Sequence, residues 1–202
     1  DVIYVKAGMY HEHLTISKNN LALVGENKYA TIIDGDGTGD VVCITANNVK
    51  ITGFTIRGSG RGGLDSAVYI TSDGNNISYN IVADSLVGIL VYKGDQNAVV
   101  GNDASNNWRG IQLWAKDFEA CTHNFITSND FSNSEDCGIL IQNSYYNTIV
   151  GNNVSCSSGE AIFMDNSDHN SIVRNNLSNS RYGIVFFSST NNVIEGNNIS
   201  RN

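Results

Sequence analysis

Residues 147–155 read NTIVGNNVS, with two asparagines five positions apart and an apolar residue between them. The same pair recurs along most of the chain, at steps of 22, 27, 23, 23 and 22 residues. A random polar sequence would not keep such a spacing, so we predict a repeat protein. The first asparagine column consists of Asn75, Asn97, Asn124, Asn147, Asn170 and Asn192, and the second consists of Asn80, Asn102, Asn129, Asn152, Asn175 and Asn197.

Apolar residues follow the same period as the asparagines. Each repeat has one three positions before the second asparagine, such as Ile149, and ends in an apolar pair such as Ile139 and Ile141, usually entered by glycine. Inward residues two positions apart indicate strands rather than helices. Three short strands in each repeat of about 22 residues predict an all-β fold, a single-stranded parallel β-helix of about 7 to 8 coils.

The asparagine columns are predicted to lie at the bends between strands. An inward amide at a bend can donate to and accept from the equivalent amide one coil away, as in stacked strands. A buried amide without partners costs roughly 1 to 3 kcal/mol, so this arrangement requires several coils that repeat it. Phe54 occupies the second column one coil earlier, and we expect the ladder to end there.

Composition excludes several classes of function. The 202 residues carry a net charge of −8 with only 12 Lys and Arg, which argues against nucleic-acid binding. No apolar run approaches the roughly 20 residues that span a membrane.

The repeat predicts one β-helix domain over residues 1–202. Both ends fall within a coil, so we expect a fragment of a larger protein or a chain continuous with a larger assembly.

Cysteines and glycosylation sequons each permit two interpretations. Cys43, Cys121, Cys137 and Cys156 lack zinc-site spacing, while a Cys137–Cys156 bridge between neighbouring coils is one hypothesis. Cys43 is predicted to point outward. Sequons occur at Asn76, Asn153, Asn176 and Asn198. The repeat consensus generates them automatically, although a secreted protein could carry glycans there.

The first coils resemble a known family. The segment IYVKAGMYHE at 3–12, followed by TIIDG at 31–35, resembles the start of NosD-like and pectin-esterase-like right-handed β-helices. The later Asn-x-Ile-x-x-Asn and Gly-Ile-x-Leu segments resemble the repeats of the carbohydrate-binding and sugar-hydrolase group. The resemblance implies a right-handed parallel β-helix, and many surface proteins look similar. It implies no single activity, because this scaffold hosts many functions.

In that family the substrate groove usually lies over the strand that follows the glycine. Outward residues of this strand are predicted to be Cys43, Tyr69, Leu90, Gln112, Leu140, Phe163 and Val185, and, two positions on, Thr45, Thr71, Tyr92, Trp114, Gln142, Asp165 and Phe187. Only one of these is charged. Because a glycosidase needs two carboxyl groups and a uronate lyase needs a base with a cation, these strands carry no recognisable catalytic set.

Two longer turns, 57–65 and 115–123, are predicted to form opposite walls near Trp114, with Arg61 and Arg109 in or beside them. Asp117 and Glu119 are candidates for an acid and base pair, with His123 beside them. The simpler interpretation is a solvated loop.

An exposed strip of aromatic rings is the more suggestive candidate. Such rings can stack on sugar faces or pack against protein. A third explanation is cover by another part of the same chain. The candidate ligand-binding residues are Tyr69, Tyr92, Trp114, Phe163 and Phe187.

NosD-like proteins are associated with copper delivery, which makes metal binding a further hypothesis. Met9, His11 and His13 alternate and would share one face of a strand, where they could offer soft and imidazole ligands. The same segment also fits the ordinary pattern of a first coil, and we expect no cofactor.

These observations predict a non-catalytic extracellular or cell-surface β-solenoid with a structural or adhesive role in a surface layer, sheath or filament. Its expected partners are other copies of itself or other cell-surface proteins, and polysaccharide. The alternative is a module that binds or cleaves polysaccharide, as a lyase, hydrolase or epimerase does, at the groove around Trp114.

Overall fold

The structure, a computed structural model, describes residues 1–116 and 119–202. Over these residues the chain forms 23 β-strands and no helix, wound into a parallel β-helix of about eight turns of about 23 residues. The predicted right-handed parallel β-helix is confirmed. None of the described residues form a helix with the length and hydropathy needed to cross a membrane.

Three parallel sheets make up the sides of the coil, with strands numbered in order along the chain. The first sheet contains β1 Val2–Val5, β4 Ala22–Gly25, β7 Lys50–Thr52, β10 Asn76–Ser78, β13 Ala98–Val100, β16 Phe125–Thr127, β19 Thr148–Val150, β21 Ser171–Val173 and β23 Val193–Glu195. The second sheet contains β2 Gly8–His11, β5 Thr31–Asp34, β8 Thr55–Arg57 and β11 Ile81–Ala83. Single-residue bridges from Asp103 to Asn198 continue it along the later coils.

The third sheet is the longest-stranded face and positions the candidate site. It contains β3 Leu14–Ile16, β6 Val42–Ile44, β9 Ser66–Ile70, β12 Val87–Tyr92, β14 Arg109–Trp114, β17 Cys137–Gln142, β20 Glu160–Asp165 and β22 Tyr182–Phe187. A separate pair, β15 Cys121–Thr122 and β18 Ser144–Tyr145, joins two turns.

The core is a stack of inward apolar side chains held in register by the parallel pairing. Ile77, Val99, Ile126 and Ile149 pair in succession along the first sheet and are at most 1% exposed. Burial of each such side chain stabilises the fold by roughly 1.5 to 3 kcal/mol before the entropy of ordering is counted. The alternation expected for strands is therefore present along the first sheet.

Left-handed backbone residues make the bends. Each described ladder asparagine directly follows a residue with positive φ, as His123 at 54° precedes Asn124 and Ser128 at 57° precedes Asn129. A non-glycine residue in this conformation costs roughly 1 to 2 kcal/mol. The hydrogen bonds of the following asparagine offset that cost, which explains why the two features occur together.

The predicted amide ladders are confirmed. Asn129 illustrates the pattern: its Nδ2 donates to Asn152 Oδ1 at 3.0 Å and to the Val99 carbonyl at 2.9 Å. Its Oδ1 accepts from the Asn102 backbone N–H at 2.9 Å. The ladder ends at Phe54 as expected, where the fully buried ring replaces the amide and the Phe54 N–H donates to Asn80 Oδ1.

The chain contains a further ladder, of mixed serine and asparagine, that the asparagine columns did not predict. In it the Ser85 N–H donates to Asn107 Oδ1 at 3.0 Å, and the Ser180 N–H donates to Asn202 Oδ1 at 2.9 Å. Its spacing repeats the steps of the asparagine columns, which was the available signal. Its bonded members are Ser59, Ser85 and Asn107 in one run and Ser157, Ser180 and Asn202 in another, and Ser134 occupies the equivalent position on the coil between them.

Candidate functional site

The candidate site lies on the outer face of the third sheet. Equivalent outward residues of successive coils form columns on this face. Two columns contain Gln112 and Trp114, and a third contains Arg109, because the glycine that follows Arg109 faces inward and places Arg109 on the outside. At β14, a Cβ on Gly110 would lie 2.7 Å from Phe131 Cβ in the core. Arg109 is thereby turned outward, one column before Gln112 and two before Trp114.

Side chains from β14, β17 and β20 enclose an open groove of about 240 Å³. Its floor includes Leu140, which faces outward yet is only 5% exposed beneath its neighbours, and Gln112, which pairs with Leu140 on the next strand, is 2% exposed beside the groove. A groove of this kind offers both a flat apolar floor and polar edges. It is lined by Arg109, Asp136, Cys137, Leu140, Gln142, Glu160 and Phe163.

A chain of side-chain hydrogen bonds runs along the groove. Arg109 Nη1 donates to Gln112 Oε1 at 3.1 Å, Gln112 Nε2 donates to Gln142 Oε1 at 3.2 Å, and Gln142 Nε2 donates to Asp165 Oδ2 at 3.4 Å. Arg109 Nε also donates to Asp136 Oδ2 at 2.8 Å. These contacts fix the direction in which each amide points, so the polar edge of the groove is organised in advance.

One further contact holds this edge in place. The Arg109 guanidinium lies 4.4 Å from the centre of the Trp108 ring, a cation–π arrangement. Burial raises the pKa of the Cys137 thiol to about 12, with the Asp136 and Glu160 carboxylates adding to the shift. Cys137 therefore stays a protonated, uncharged part of the wall at neutral pH.

An aromatic strip begins beside the groove. The rings of Tyr92 and Trp114, paired across β12 and β14, have centroids 5.2 Å apart, and Tyr69 follows at 6.3 Å from Tyr92. All three rings are half-buried. We call Tyr69, Tyr92 and Trp114 the ring strip. Successive rings at this spacing offer a surface on which flat, apolar ligand faces can stack.

The predicted second wall stands next to the ring strip. Glu119 forms an ion pair with Lys93, which holds the pKa of Lys93 above its usual range. Lys93 and Lys116 lie 5.1 Å from the ring centres of Tyr92 and Trp114 respectively. Glu119 is thus engaged by a lysine. Its proposed catalytic partner, Asp117, lies outside the described residues.

The other predicted residues lie apart from the ring strip. Phe187 is 63% exposed and Phe163 lines the groove, while Gln142 and Asp165 separate Trp114 from Phe187 in the same column. His123 stacks on Tyr146 at 5.6 Å, at the bend before the first sheet. The five aromatic residues therefore form one three-ring strip and two separate positions.

The predicted metal residues begin on β2. Met9 and His11 are exposed two positions apart, whereas His13 follows the strand and uses both ring nitrogens, on the Asp40 carbonyl and on Thr38. His11 Nδ1 instead lies 2.7 Å from Asp36 Oδ1, close to Asp34.

The cluster of His11, Asp34 and Asp36 is satisfied internally. Asp34 Oδ2 accepts from Arg57 Nε at 2.7 Å and Asp34 Oδ1 accepts from the Asp36 N–H at 3.0 Å. Although partial burial opposes the shift, these bonds hold the pKa of Asp34 below its ordinary value. The carboxylates are therefore already committed to neighbours within the protein.

Three of the four sequon asparagines, Asn153, Asn176 and Asn198, form an outer ladder along the second sheet. Asn176 Nδ2 donates to Asn153 Oδ1 at 3.1 Å, and Asn198 Nδ2 donates to Asn176 Oδ1 at 3.0 Å. The serine of the sequon also bonds the asparagine, as Ser178 Oγ does with Asn176 Oδ1 at 2.8 Å. A glycan on Asn153 or Asn176 would remove a ladder donor. Asn76 is half-buried on β10.

The thiols provide a first test of the structure. All four cysteines are free, with Cys156 exposed and Cys121 and Cys137 buried. We expect an aromatic disulfide reagent at pH 8 to react rapidly with Cys156, more slowly with half-buried Cys43, and not with the buried pair, whose raised pKa disfavours the thiolate. Unfolding in guanidinium should release four reactive thiols. A count of two would contradict this and indicate a bridge such as Cys137–Cys156.

Sequence reasoning missed Asp136 and Glu160 and did not assign Gln112, Gln142 or Asp165 to a site. For Glu160 the missed signal was the residue before the inward glycine or alanine of each coil, as in Arg109-Gly110 and Glu160-Ala161, whereas Asp136 lies in the turn before β17 and outside that column. Outward positions were counted only after the glycine, as at Gln112 and Trp114, so the column that precedes the glycine was omitted. The face is consequently more polar than one charge in fourteen residues suggested.

Comparisons with known proteins agree on the fold. Residues 117–202 match the model of the family described as periplasmic copper-binding protein (NosD). Within the described part of this segment, no three His, Cys, Asp or Glu side chains gather at metal-ligating distance, so its residues do not fit a copper site built from these ligands. No curated protein matches the sequence.

Solved structures with the same fold include two tailspikes. Dettilon tailspike protein has a TM-score of 0.62 at 18% identity, over 87% of this chain and 43% of its own. The enzymatically active domain of bacteriophage CBA120 tailspike protein 2 has a TM-score of 0.65 at 16% identity, over 97% of this chain and 38% of its own.

Pectin methylesterase from Yersinia enterocolitica is more distant, with a TM-score of 0.47 at 13% identity, over 87% of this chain and 65% of its own. The chain thus spans less than two thirds of the length of each of these structures. The coiling, the ladders and the similarity to the two tailspikes agree on the fold. The chain has the parallel β-helix fold, and its residues 117–202 are similar to the NosD family.

Proposed function

We propose that this chain is a polysaccharide-binding β-helix that acts outside the cytoplasm in an adhesive role. The observation that carries the proposal is that the ring strip and the groove are adjacent on one face, because Trp114 pairs with Gln142, which lines the groove. Because unrelated activities share this scaffold, the role is argued from the site itself. The extracytoplasmic location is supported by the periplasmic description of the NosD family.

The two parts of the face suit the two surfaces of a sugar. The ring strip can stack on the apolar faces of pyranose rings, while the fixed amides and carboxylates of the groove can bond hydroxyl groups. Successive coils are about 4.8 Å apart, so an extended glycan crossing several coils can contact both parts at once. Fixed side chains lose little entropy on binding, which favours recognition of a weakly held ligand.

Replacing Trp114 with alanine is expected to weaken binding of the tightest oligosaccharide by about five- to tenfold, since a lost aromatic contact is worth roughly 1 to 1.5 kcal/mol. Isothermal titration with a panel of neutral and acidic hexasaccharides measures this effect. Phe125→Ala is the matched control, because Phe125 is 44% exposed on β16 in the first sheet, away from the site. Equal affinities for parent and Trp114→Ala would contradict the proposal.

The same panel separates binding from cleavage. A binding module leaves the chain length of its ligand unchanged, whereas a hydrolase produces new reducing ends and a lyase produces unsaturated ends. We expect neither product after prolonged incubation. Product formation that is lost in Glu160→Gln and Asp136→Asn would establish the enzymatic alternative at this groove.

A structural role through self-association is a second candidate, and the outer face of the first sheet favours it. Between β13 and β21 this face is flat and uncharged, with Ala98, Val100, Val150 and Val173 pointing outward. Uncharged faces of this kind often meet protein. Sedimentation of the purified chain tests it: concentration-dependent association reduced by Val150→Lys supports assembly, and a monomer at all concentrations opposes it.

A further inference from the structure

The charges in the groove are strongly unbalanced. Asp136 and Glu160 line the groove, Asp165 lies beside it as the acceptor of Gln142, and Arg109 is the cation among the residues that line it. Arg109 is itself paired with Asp136 at 2.8 Å. Within residues 1–116 and 119–202, no basic side chain forms an ion pair with Glu160 or Asp165. The groove is therefore net negative after its internal pairing.

The hydrogen-bond chain commits some of the donors of the groove and ends on an acceptor. Arg109, Gln112 and Gln142 each direct donors to a neighbouring side chain, and the chain ends on the Asp165 carboxylate. Carboxylate oxygens at Asp136, Glu160 and Asp165 have lone pairs beyond those used in these bonds. Sugar hydroxyls can donate to such oxygens, but a carboxylate of a uronic acid cannot.

Positive charge lies at the other end of the face. Lys93 and Lys116 lie over the ring strip, and Lys93 is neutralised by Glu119. A ligand that crosses the ring strip and enters the groove would therefore pass from mixed charge to negative charge. In the half-buried groove, like charges repel more strongly than in free solution.

On the basis of the proposed function, we infer that the groove selects neutral, hydroxyl-rich polysaccharides and rejects polyuronates. Stacking on the ring strip does not distinguish the two classes, because both present apolar ring faces. Discrimination comes from the carboxylates of the groove, which accept from hydroxyl groups and repel acidic groups.

The test uses ligands that differ mainly in charge. Isothermal titration at low salt compares galactohexaose with hexagalacturonate, and cello-, xylo- and mannohexaose with hexaguluronate and hexamannuronate. We expect the tightest ligand to be neutral and each uronate hexamer to bind at least about tenfold more weakly. Raising the ionic strength should reduce the difference in affinity between neutral and uronate hexamers, since salt screens the repulsion between the uronates and the groove at this partly exposed site.

Variants locate the discrimination in the groove. Glu160→Gln combined with Asp165→Asn should reduce the preference for neutral over acidic hexamers about tenfold, with Trp114 and the ring strip unchanged. Glu195→Gln is the control, because Glu195 is an exposed carboxylate on β23 of the first sheet. This substitution removes a negative charge from the chain but leaves the groove intact. The Glu195→Gln variant should therefore prefer neutral over acidic hexamers to the same degree as the parent.

The outcomes separate this inference from the proposed function. A uronate hexamer that binds as tightly as the tightest neutral hexamer, in a Trp114-dependent manner, overturns the inference and leaves the binding role intact. An equal loss of preference in Glu195→Gln also overturns it, because net charge rather than the groove would then be responsible. Absence of binding to every member of the panel overturns the proposed function, and the inference with it.

Discussion

Replacing Phe131 with alanine is expected to lower the free energy of unfolding by about 4 kcal/mol. Phe131 is fully buried, and its ring fills the space left by two small neighbours, Ala104 on the preceding coil and Gly110 at the start of β14. A Cβ on Gly110 would lie 2.9 Å from Phe131 Cδ1, so the ring packs directly against the glycine. Chemical denaturation followed by circular dichroism measures the change.

Phe125→Ala serves as the control for this prediction. Phe125 lies six residues earlier, and its substitution by alanine removes the same atoms as the substitution of Phe131. Its side chain, however, is 44% exposed on the outer face of β16. We expect a loss below about 1 kcal/mol, as for other exposed positions. Similar losses in the two variants would show that Phe131 does not fill the core as the structure indicates.

Asn129→Ala is expected to destabilise the fold by a similar amount, about 4 kcal/mol. The Asn129 amide accepts from the Asn102 backbone N–H and donates to the Val99 carbonyl, both buried. Alanine leaves these two groups without partners, and each orphaned buried group costs roughly 1 to 3 kcal/mol. Denaturant unfolding should show a lower midpoint, and amide hydrogen exchange should accelerate at Asn102.

The control for the ladder is Asn76→Ala. Asn76 directly follows the ladder residue Asn75, but its buried Oδ1 has no hydrogen-bond partner in the structure. Removal of this amide is expected to change stability by less than about 1 kcal/mol. A loss at Asn129 no larger than that at Asn76 would argue that the ladders contribute little beyond backbone pairing.

Sequence patterns predicted the fold because one period fixes several levels of structure. The steps between Asn75, Asn97 and Asn124 set the length of each coil, and the apolar residues between them set which side of each strand faces inward. Since parallel stacking brings identical positions together, a residue type that suits one coil suits the next. The ladder and its end at Phe54 follow from that rule.

The candidate site was only partly predictable. Tyr92 and Trp114 lie on neighbouring coils at equivalent positions, so their contact follows directly from the repeat. Arg109 and Asp136 meet from different positions in their coils, one on a strand and one in the turn before the next strand. Such a contact depends on the inward turn of Gly110, which the strand period alone does not reveal.

The left-handed bends were also beyond the sequence patterns. Glycine occupies some of these positions, as at Gly101 and Gly151, but Tyr79 and Arg174 occupy equivalent ones with positive φ. Their preference for other backbone conformations is overcome by the ladder asparagine that follows. Tertiary hydrogen bonding therefore decides the local backbone where residue propensity argues against it.

A crystal structure with a bound hexasaccharide tests the central claim most directly, namely that one face of the third sheet holds a glycan across both the ring strip and the groove. We predict sugar rings stacked on Trp114 and Tyr92, with hydroxyl groups bonded to the carboxylates of Glu160 and Asp165. A glycan seated on the first or second sheet, with the ring strip left uncovered, would contradict the account.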